Sequence, residues 1–570
     1  MFTYKRIFKL VVLTTLLLPS SYVMSEVKLE IGYLEPFSEE FDLMARISEK
    51  SENFLNLRMT PGEYESAAFY LISDSDLDSV EVSLTELRKD SHVIAEENFN
   101  LKHVAYWYQS GGAWESIRID RKKESVLVPE LLVNDPHLVV VDHNNKINLV
   151  SGNGGEKVKL TGDMVEQRKS LDGVVIHDAE KLLPASLEAN RPNHYFLTVR
   201  APDDSSPGVY NGYVVIKSDE IERRFNITVE ILSFTLNASP LTYSLYYRGK
   251  LKDGQTEISS EWKNEKQLYI ELKDMKEHGV CCPTNYQRIF PKTSDDSIEE
   301  NVVLFRKHME IRKLAGIDNE NLYYLGLLAG DEASLKDLNA FKERVDFVSQ
   351  VASETGVKTV FYYGKEERPV DGYSEQLPAW EVVRQSGEAI FVALNDRYFE
   401  KEQLAIPEVF VYHDEISRAN SQRVKSLNSK ILSYANPQVG VENPALYRGN
   451  YGFNLIKNGF DGVMNYAYQD SMGVLWVDDD HRYYRDHVFA YPSSDGVIST
   501  IAWEAFREAV DDTRYYYYAF ELISKLDMPD RRKYRVELDK IVEGFDASDF
   551  GSANRARNEV IGLISMIGGN

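Results

Sequence analysis

Two acids stand side by side in FYYGKEERPV, residues 361–370, where an aromatic run meets a glycine and then Glu366 and Glu367. Cleaving a glycosidic bond needs a carboxylic acid to protonate the departing oxygen, and a second group that stabilises or attacks the developing oxocarbenium carbon. Glu367 is the candidate acid, because a neighbouring carboxylate raises its pKa by like-charge repulsion and favours the protonated form. Consecutive residues of a regular strand point to opposite faces. Both glutamates therefore reach one cleft only if the chain leaves strand geometry after Gly364. The alternative is a solvated charge cluster with Lys365 and Arg368.

The elements around this pair alternate short apolar runs with amphipathic stretches, the signature of a parallel sheet with crossover helices. Eight candidate strands follow in order: 241–247, 279–286, 321–327, 359–364, 389–394, 409–413, 430–436 and 462–468. Eight closes a barrel, and the region matches the ~250 residues, with insertions, of a (β/α)8 TIM barrel. Helical stretches such as EKQLYIELKDMKEHG, NVVLFRKHMEIRKLAG and LNAFKERVDFVSQVASETG end on a glycine suited to a helix C-terminus.

Barrels of this kind carry their sites at the C-terminal ends of the strands. Those ends supply Arg248, then Asn285 and Tyr286, then Glu366 and Glu367, then His413, Asp414 and Glu415, then Asn436 and Glu442, and last Tyr466, Tyr468 and Asp470. Acids, amides and tyrosines without a phosphate loop or a metal cluster point to a carbohydrate cleft. Tyr363, Tyr434, Tyr466 and Tyr468 are placed to stack on a sugar face or donate a hydroxyl, or else to fill the core. Arg448 either reaches the cleft or braces Glu442. Asp331 and Glu332 follow the third strand as further candidate acids, although Asp331 also reads as a helix cap; His413, Asp414 and Glu415 resemble a catalytic cluster, although HDEIS at 413–417 also reads as an acidic helix start. No nucleophile-elbow glycine pattern accompanies a serine, and the 11 histidines lack metal-ligand spacing, so neither a metal nor another cofactor is expected.

Residues 26–238 differ, with short alternating runs such as HYFLTVRAP and RRFNITVEIL that read as an all-β sandwich. In PDDSSPGVYNGY, Gly208 and Gly212 read as residues supplying backbone angles that others resist. The expected layout is a multi-domain chain: signal peptide 1–25, β-sandwich 26–238, barrel 239–525 and a C-terminal helical extension 526–570. The first 25 residues carry Lys5, Arg6 and Lys9, an apolar stretch and then small residues, which predicts export and cleavage near Ser25 to the periplasm or exterior. No segment of the mature chain reaches the ~20 apolar residues of a membrane span. A net charge of −25 argues against nucleic acid as a partner. Cys281 and Cys282 are adjacent, either as thiols or as a vicinal bridge. The sequence is silent on oligomeric state.

Several segments together resemble glycoside hydrolase family 123 and its uncharacterised barrel relatives. They are MTPGEYESAAFYL, AYWYQSGGAW followed by LVPELLVND, LTVRAPDDSSPGVYNGYVVI, MKEHGV, FYYGKEE followed by VVRQSGEAIFVAL, and YPSSDGVISTIAWEAFREAVDDTRYYYY. The resemblance covers most of the mature chain and implies a β-sandwich followed by a TIM barrel. It also implies removal of a β-linked N-acetylgalactosamine by substrate assistance, with an aspartate orienting the acetamido group and the adjacent glutamate as general acid; for this chain the expectation is the broader one of a β-linked N-acetylhexosamine. Here Glu367 matches the glutamate, whereas Glu366 stands where the family has aspartate, one methylene longer. Glu442 offers a direct nucleophile opposite Glu367, resembling retaining glycosidases, or else a sugar ligand or helix-start acid. The expected function is an exported glycoside hydrolase acting on a glycan or polysaccharide. The alternative is an inactive carbohydrate-binding or envelope protein on the same scaffold.

Overall fold

The computed structural model describes residues 27–37, 54–109, 125–152, 156–159, 170–171, 174–291, 297–366, 373–400, 406–440, 443–471, 476–477 and 486–568. The chain is multi-domain, with antiparallel sheets first, a parallel sheet with helices next, and helices last. The proposed signal segment, Glu367 and Glu442 lie outside the described residues.

Two antiparallel sheets share one core. The first runs in the order Leu29–Leu34, Tyr64–Ser73, Asn193–Arg200, Phe99–Gln109, Val126–Val133. The second runs Ala185–Leu187, Leu77–Leu84, Gly208–Lys217, Glu222–Ile231, Phe54–Met59, with only its last pair parallel. Strict alternation makes this possible: Tyr210, Val214 and Ile216 are buried while Val209 and Tyr213 of the same strand face solvent. Between the sheets Phe69 stacks on Tyr195 and meets Phe225 edge-on, with both pairs of centroids 5.3 Å apart. Gly208 has the expected positive φ, +128°. Gly212 serves a different need: a Cβ there would lie 2.7 Å from Leu87 Cδ2 and 3.0 Å from the Glu86 carbonyl, so close packing rather than backbone angle demands glycine.

The second half forms a seven-stranded parallel sheet, in the spatial order Thr242–Leu245, Gly462–Asn465, Lys430–Ser433, Val409–Tyr412, Ala389–Leu394, Thr359–Gly364, Asn321–Ala329. The first strand in sequence pairs with the last. The expected strand at 279–286 is the exception: it forms no regular strand. It nevertheless bonds to both edges of the sheet, Cys281 N and Thr284 N donating to Tyr243 O and Leu245 O, and Asn285 exchanging bonds with Tyr323 O and Leu325 N. Two bonds to each neighbour fix the segment without producing a ladder.

Helices Glu265–Glu277, Ile298–Leu314 and Leu338–Glu354 follow the anticipated stretches, capped by Asn264, Ser297 and Asp337. Each gives way to a left-handed glycine, Gly279, Gly316 and Gly356, with φ of +81°, +83° and +98°. The last three helices, Ile501–Ser524, Asp530–Gly544 and Ser552–Ile567, bury Tyr515, Leu538, Val560 and Ile564 against Leu232, Phe234 and Leu236, the stretch leading out of the antiparallel sheets.

Candidate functional site

In strand Thr359–Gly364 the side chains alternate. Tyr362 points outward, its hydroxyl bonding to Val345 O and Ser349, while Tyr363 points into the cluster enclosed by the parallel sheet. The strand ends at Gly364, packed so closely on Trp380 that a Cβ would lie 2.9 Å from its ring. The side chain of Gln376 then clamps the next peptide, accepting from Lys365 N at 2.7 Å and donating to Lys365 O at 2.8 Å. The chain therefore leaves strand geometry where the paired glutamates require it to. Glu366 turns back, and its carboxylate accepts a hydrogen bond from the Tyr363 hydroxyl three residues earlier.

A set of phenols packs around Tyr246 on the same side of the sheet as this carboxylate. Tyr246, just beyond strand Thr242–Leu245, is buried and donates to the Tyr363 hydroxyl at 3.3 Å. Its ring meets those of Tyr466, Tyr434 and Tyr363 at 5.3, 5.6 and 6.1 Å. Burial pushes the Tyr246 and Tyr363 hydroxyls well above the ordinary tyrosine value, and the negative charge of Glu366 pushes them further. Tyr286 is raised chiefly by burial and also by Glu366, with Arg248 opposing. The proton of Tyr363 goes to Glu366 and that of Tyr246 to the Tyr363 oxygen, a relay of two phenols that ends on the carboxylate.

Arg248 forms the opposite pole. Its guanidinium bonds Glu261 at 2.5 Å, the Tyr466 hydroxyl at 2.9 Å and Asp470 at 3.3 Å, and its Cζ lies 5.7 Å from the Tyr286 ring centroid. Burial alone would lower its pKa, but the groups around it, the carboxylates of Asp470 and Glu261 among them, outweigh burial and keep it a cation. Tyr466 in turn donates to Asp470 at 2.5 Å. The result is a fixed cation flanked by carboxylates and phenols, a few residues from the ends of the first and last parallel strands.

Of the residues singled out from sequence, Arg248, Tyr286, Tyr363, Glu366, Tyr466 and Asp470 come together here. Tyr434 lies beside them, its ring between Tyr246 and His413. Asn436 is half-buried at the rim and donates to Asp414 O and Ser433 Oγ, both at 3.1 Å. Two assignments need correction. Tyr468 is fully buried, its hydroxyl donating to Asp274 at 2.7 Å and its ring packed on Tyr247 and Trp503, away from the cleft. Arg448 is buried too, held by Asp512 at 3.0 Å between helices rather than lining the cleft, while Glu442, the residue it would brace, lies outside the described residues.

Asp331 caps helix Glu332–Lys336 through Ser334 N, as anticipated. After HDEIS the helix begins at Arg418 with Ser417 as cap, so the acids precede it. Asp414 accepts from Asp396 N instead. Cys281 and Cys282 are bonded to each other. Sequence reasoning missed Tyr246 and Glu261. Alternation along TYSLYY places Tyr246 on the same face as Ser244 and was signal enough, whereas Glu261 lies thirteen residues from Arg248 on an intervening excursion. Among the described residues no group of three or more His, Cys, Asp or Glu side chains is arranged to hold a metal ion.

No protein-family model and no curated protein sequence matches the chain. Among solved structures it resembles a family 123 glycoside hydrolase from Clostridium perfringens, described for glycolipid glycan hydrolysis, at 12% identity and TM-score 0.65 over 95% of this chain and 99% of that one. At that identity the likeness is one of fold, and it agrees with the resemblance drawn from the sequence motifs. Weaker overlaps include β-glucuronidase 3 of Bacteroides uniformis (8% identity, 81% and 50% of the two chains, TM-score 0.27) and a putative α-galactosidase of Bacteroides fragilis (6%, 81% and 78%, 0.23).

Proposed function

We propose that the chain is a glycoside hydrolase acting on a glycan or polysaccharide, with its site at the C-terminal ends of the parallel strands. The observation that carries this reading is the Glu366 carboxylate turned back onto Tyr363, which Tyr246 backs in turn, beside the Arg248–Asp470–Tyr466 cluster. A carboxylate, hydroxyl donors and aromatic faces around one space are what sugar recognition uses. In this reading Glu367, the next residue, is the general acid, and Glu366 orients the 2-acetamido group of a β-linked N-acetylhexosamine. The Tyr363 hydrogen bond compensates for the extra methylene by fixing where the longer side chain ends. Tyr434 and Asn436 line the sugar site. Segment 281–285 takes the eighth position in a closed (β/α)8 barrel. Residues 26–238 are the sandwich, 239–525 the catalytic domain and 526–570 a helical extension, with residues 1–25 removed near Ser25 on export to the periplasm or beyond.

Glu442 is the alternative nucleophile. A carboxyl separation from Glu367 of about 5 Å would favour a covalent retaining route, and roughly 6.5 to 9.5 Å an inverting one. The test is Glu367→Gln, assayed by release of reducing ends from a panel of bacterial and algal glycans. Hydrolysis by the wild type and its loss in a folded variant supports the assignment, and full activity in the variant removes it. A thiazoline mimic of the acetamido intermediate inhibits if Glu366 acts as proposed; its failure to inhibit turns the mechanism toward Glu442 or water. Glycan binding without turnover identifies the inactive carbohydrate-binding protein.

A further inference from the structure

Beside the candidate site lies a groove of about 780 Å³, between the stretch that follows the first parallel strand and the start of helix Ile298–Leu314. Glu261 joins the two spaces. One of its carboxylate oxygens holds Arg248 at 2.5 Å, and the other faces Lys250 Nζ at 3.3 Å in the groove wall. Trp262 stands in that wall with 40% of its surface exposed, whereas Trp107, Trp380, Trp476 and Trp503 are all buried. Lys250 and Lys252 bring their ammonium groups to 4.3 and 5.7 Å from its ring centroid. Phe290 and Leu304 add apolar surface.

Among the described residues the charges lining the groove cancel: Lys250, Lys252 and Arg288 stand against Asp253, Glu261 and Glu300. Hydrogen-bond donors and acceptors are thus both abundant, while no net field selects a charged ligand; a polyanion would call for an excess of cations. An aromatic face with balanced polar groups suits an uncharged, hydroxyl-rich ring, whose C–H face packs on indole and whose hydroxyls give to carboxylates and take from ammonium groups. The volume lies in the range of sites that enclose a ligand of several rings.

We infer that this groove binds the part of an uncharged oligosaccharide beyond the cleaved bond, with Trp262 as its stacking platform. The substrate is then a chain of several sugars rather than a simple glycoside. The inference rests on the glycosidase reading for what happens at the neighbouring site, but not for binding in the groove. The test compares 4-nitrophenyl N-acetyl-β-hexosaminide with an uncharged tetrasaccharide bearing the same terminal sugar. Trp262→Ala lowers the ratio of kcat/KM for tetrasaccharide over aryl glycoside about tenfold; an unchanged ratio overturns the inference. If the wild type hydrolyses neither compound, titration calorimetry with the tetrasaccharide decides. Binding to the wild type that weakens about tenfold in Trp262→Ala keeps the groove and removes only the hydrolase reading. No binding, or equal binding by both proteins, overturns the groove. A carboxylated tetrasaccharide bound more tightly than the neutral one overturns the assignment to uncharged sugars.

Discussion

Glu63 is fully buried where the antiparallel sheets meet helix Ile501–Ser524, and its ionisation sets a pH dependence whose sign can be worked out. One carboxylate oxygen accepts from Thr60 N at 2.6 Å, Thr60 Oγ1 at 3.0 Å and the Tyr515 hydroxyl at 2.7 Å; the other has no hydrogen-bond partner. Burial, and next the charge of Asp511, raise its pKa from an ordinary 4.5 to about 7, against the opposing pull of Arg557 and the hydrogen bonds. Between those values the folded chain keeps a proton that the unfolded chain has released. The folded state is therefore undiminished below pH 4.5 and loses stability as pH rises through 7. At 1.36 kcal/mol per pKa unit, the loss is about 3 kcal/mol. Glu63→Gln keeps a carbonyl oxygen for the three hydrogen bonds and does not titrate. Urea denaturation followed by tryptophan fluorescence, run on both proteins at several pH values, gives a difference in which the titrating groups remote from Glu63 cancel, leaving Glu63 and the acids whose charges act on it, Asp511 and Glu65. The wild type should lose about 3 kcal/mol relative to Glu63→Gln between pH 4.5 and pH 8. Parallel pH profiles, or a wild type that gains on the variant as pH rises, would refute the argument.

Arg557 forms ion pairs with Asp512 at 2.5 Å, Glu508 at 2.7 Å and Glu65 at 2.9 Å, so Arg557→Met strands buried acids and should cost about 3–5 kcal/mol, read as a lower urea midpoint. Lys263→Met leaves Glu271, 2.6 Å away and fully buried, without its cation, and thermal denaturation should show a loss of the same size. Hydrogen bonds to charged groups contribute about 1.5–3 kcal/mol, so Arg248→Met should lower kcat/KM on the active glycan about 10- to 100-fold. Arg248→Lys should restore little, because an ammonium lacks the fork that spans Glu261, Tyr466 and Asp470. Tyr363→Phe removes the donor to Glu366 and should reduce kcat about tenfold, with the larger effect on acetamido sugars.

The elements of the parallel sheet could be read from the sequence wherever a continuous apolar run pairs along its length, as AIFVAL and VFVY do, buried at every position. The segment at 279–286 is apolar and of strand length, yet it settles between two strands through isolated bonds, because pairing depends on neighbours remote in sequence. The same limit separates Tyr466 from Tyr468. Two residues apart on a continuing strand they would share a face, but the strand ends at Asn465. Beyond it one phenol turns to Arg248 and the other to Asp274. Parity carries a side chain to the site only while the backbone stays extended.

Acids are the harder case, since a carboxylate that serves chemistry and one that serves packing look alike in a sequence. The stretch TIAWEAFREAVDDTRYYYY is the most specific of the motifs resembling family 123, and its acids could be taken for function. In the fold Glu508 and Asp512, one helical turn apart, receive Arg557 from helix Ser552–Ile567 and Arg448 from helix Pro444–Tyr451, all four being buried. Arg557 also reaches Glu65 of the antiparallel sheets. Such a network demands arginine and acid at fixed positions as strictly as a catalytic site does, because removing any partner leaves a charge in low dielectric. The motif that best identifies this architecture therefore reports on how its parts are held together. The acids offered for chemistry, Glu366 and its neighbour, sit in a less distinctive stretch, where the informative residues are Gly364 and Tyr363: one ends the strand, and the other receives the carboxylate that turns back.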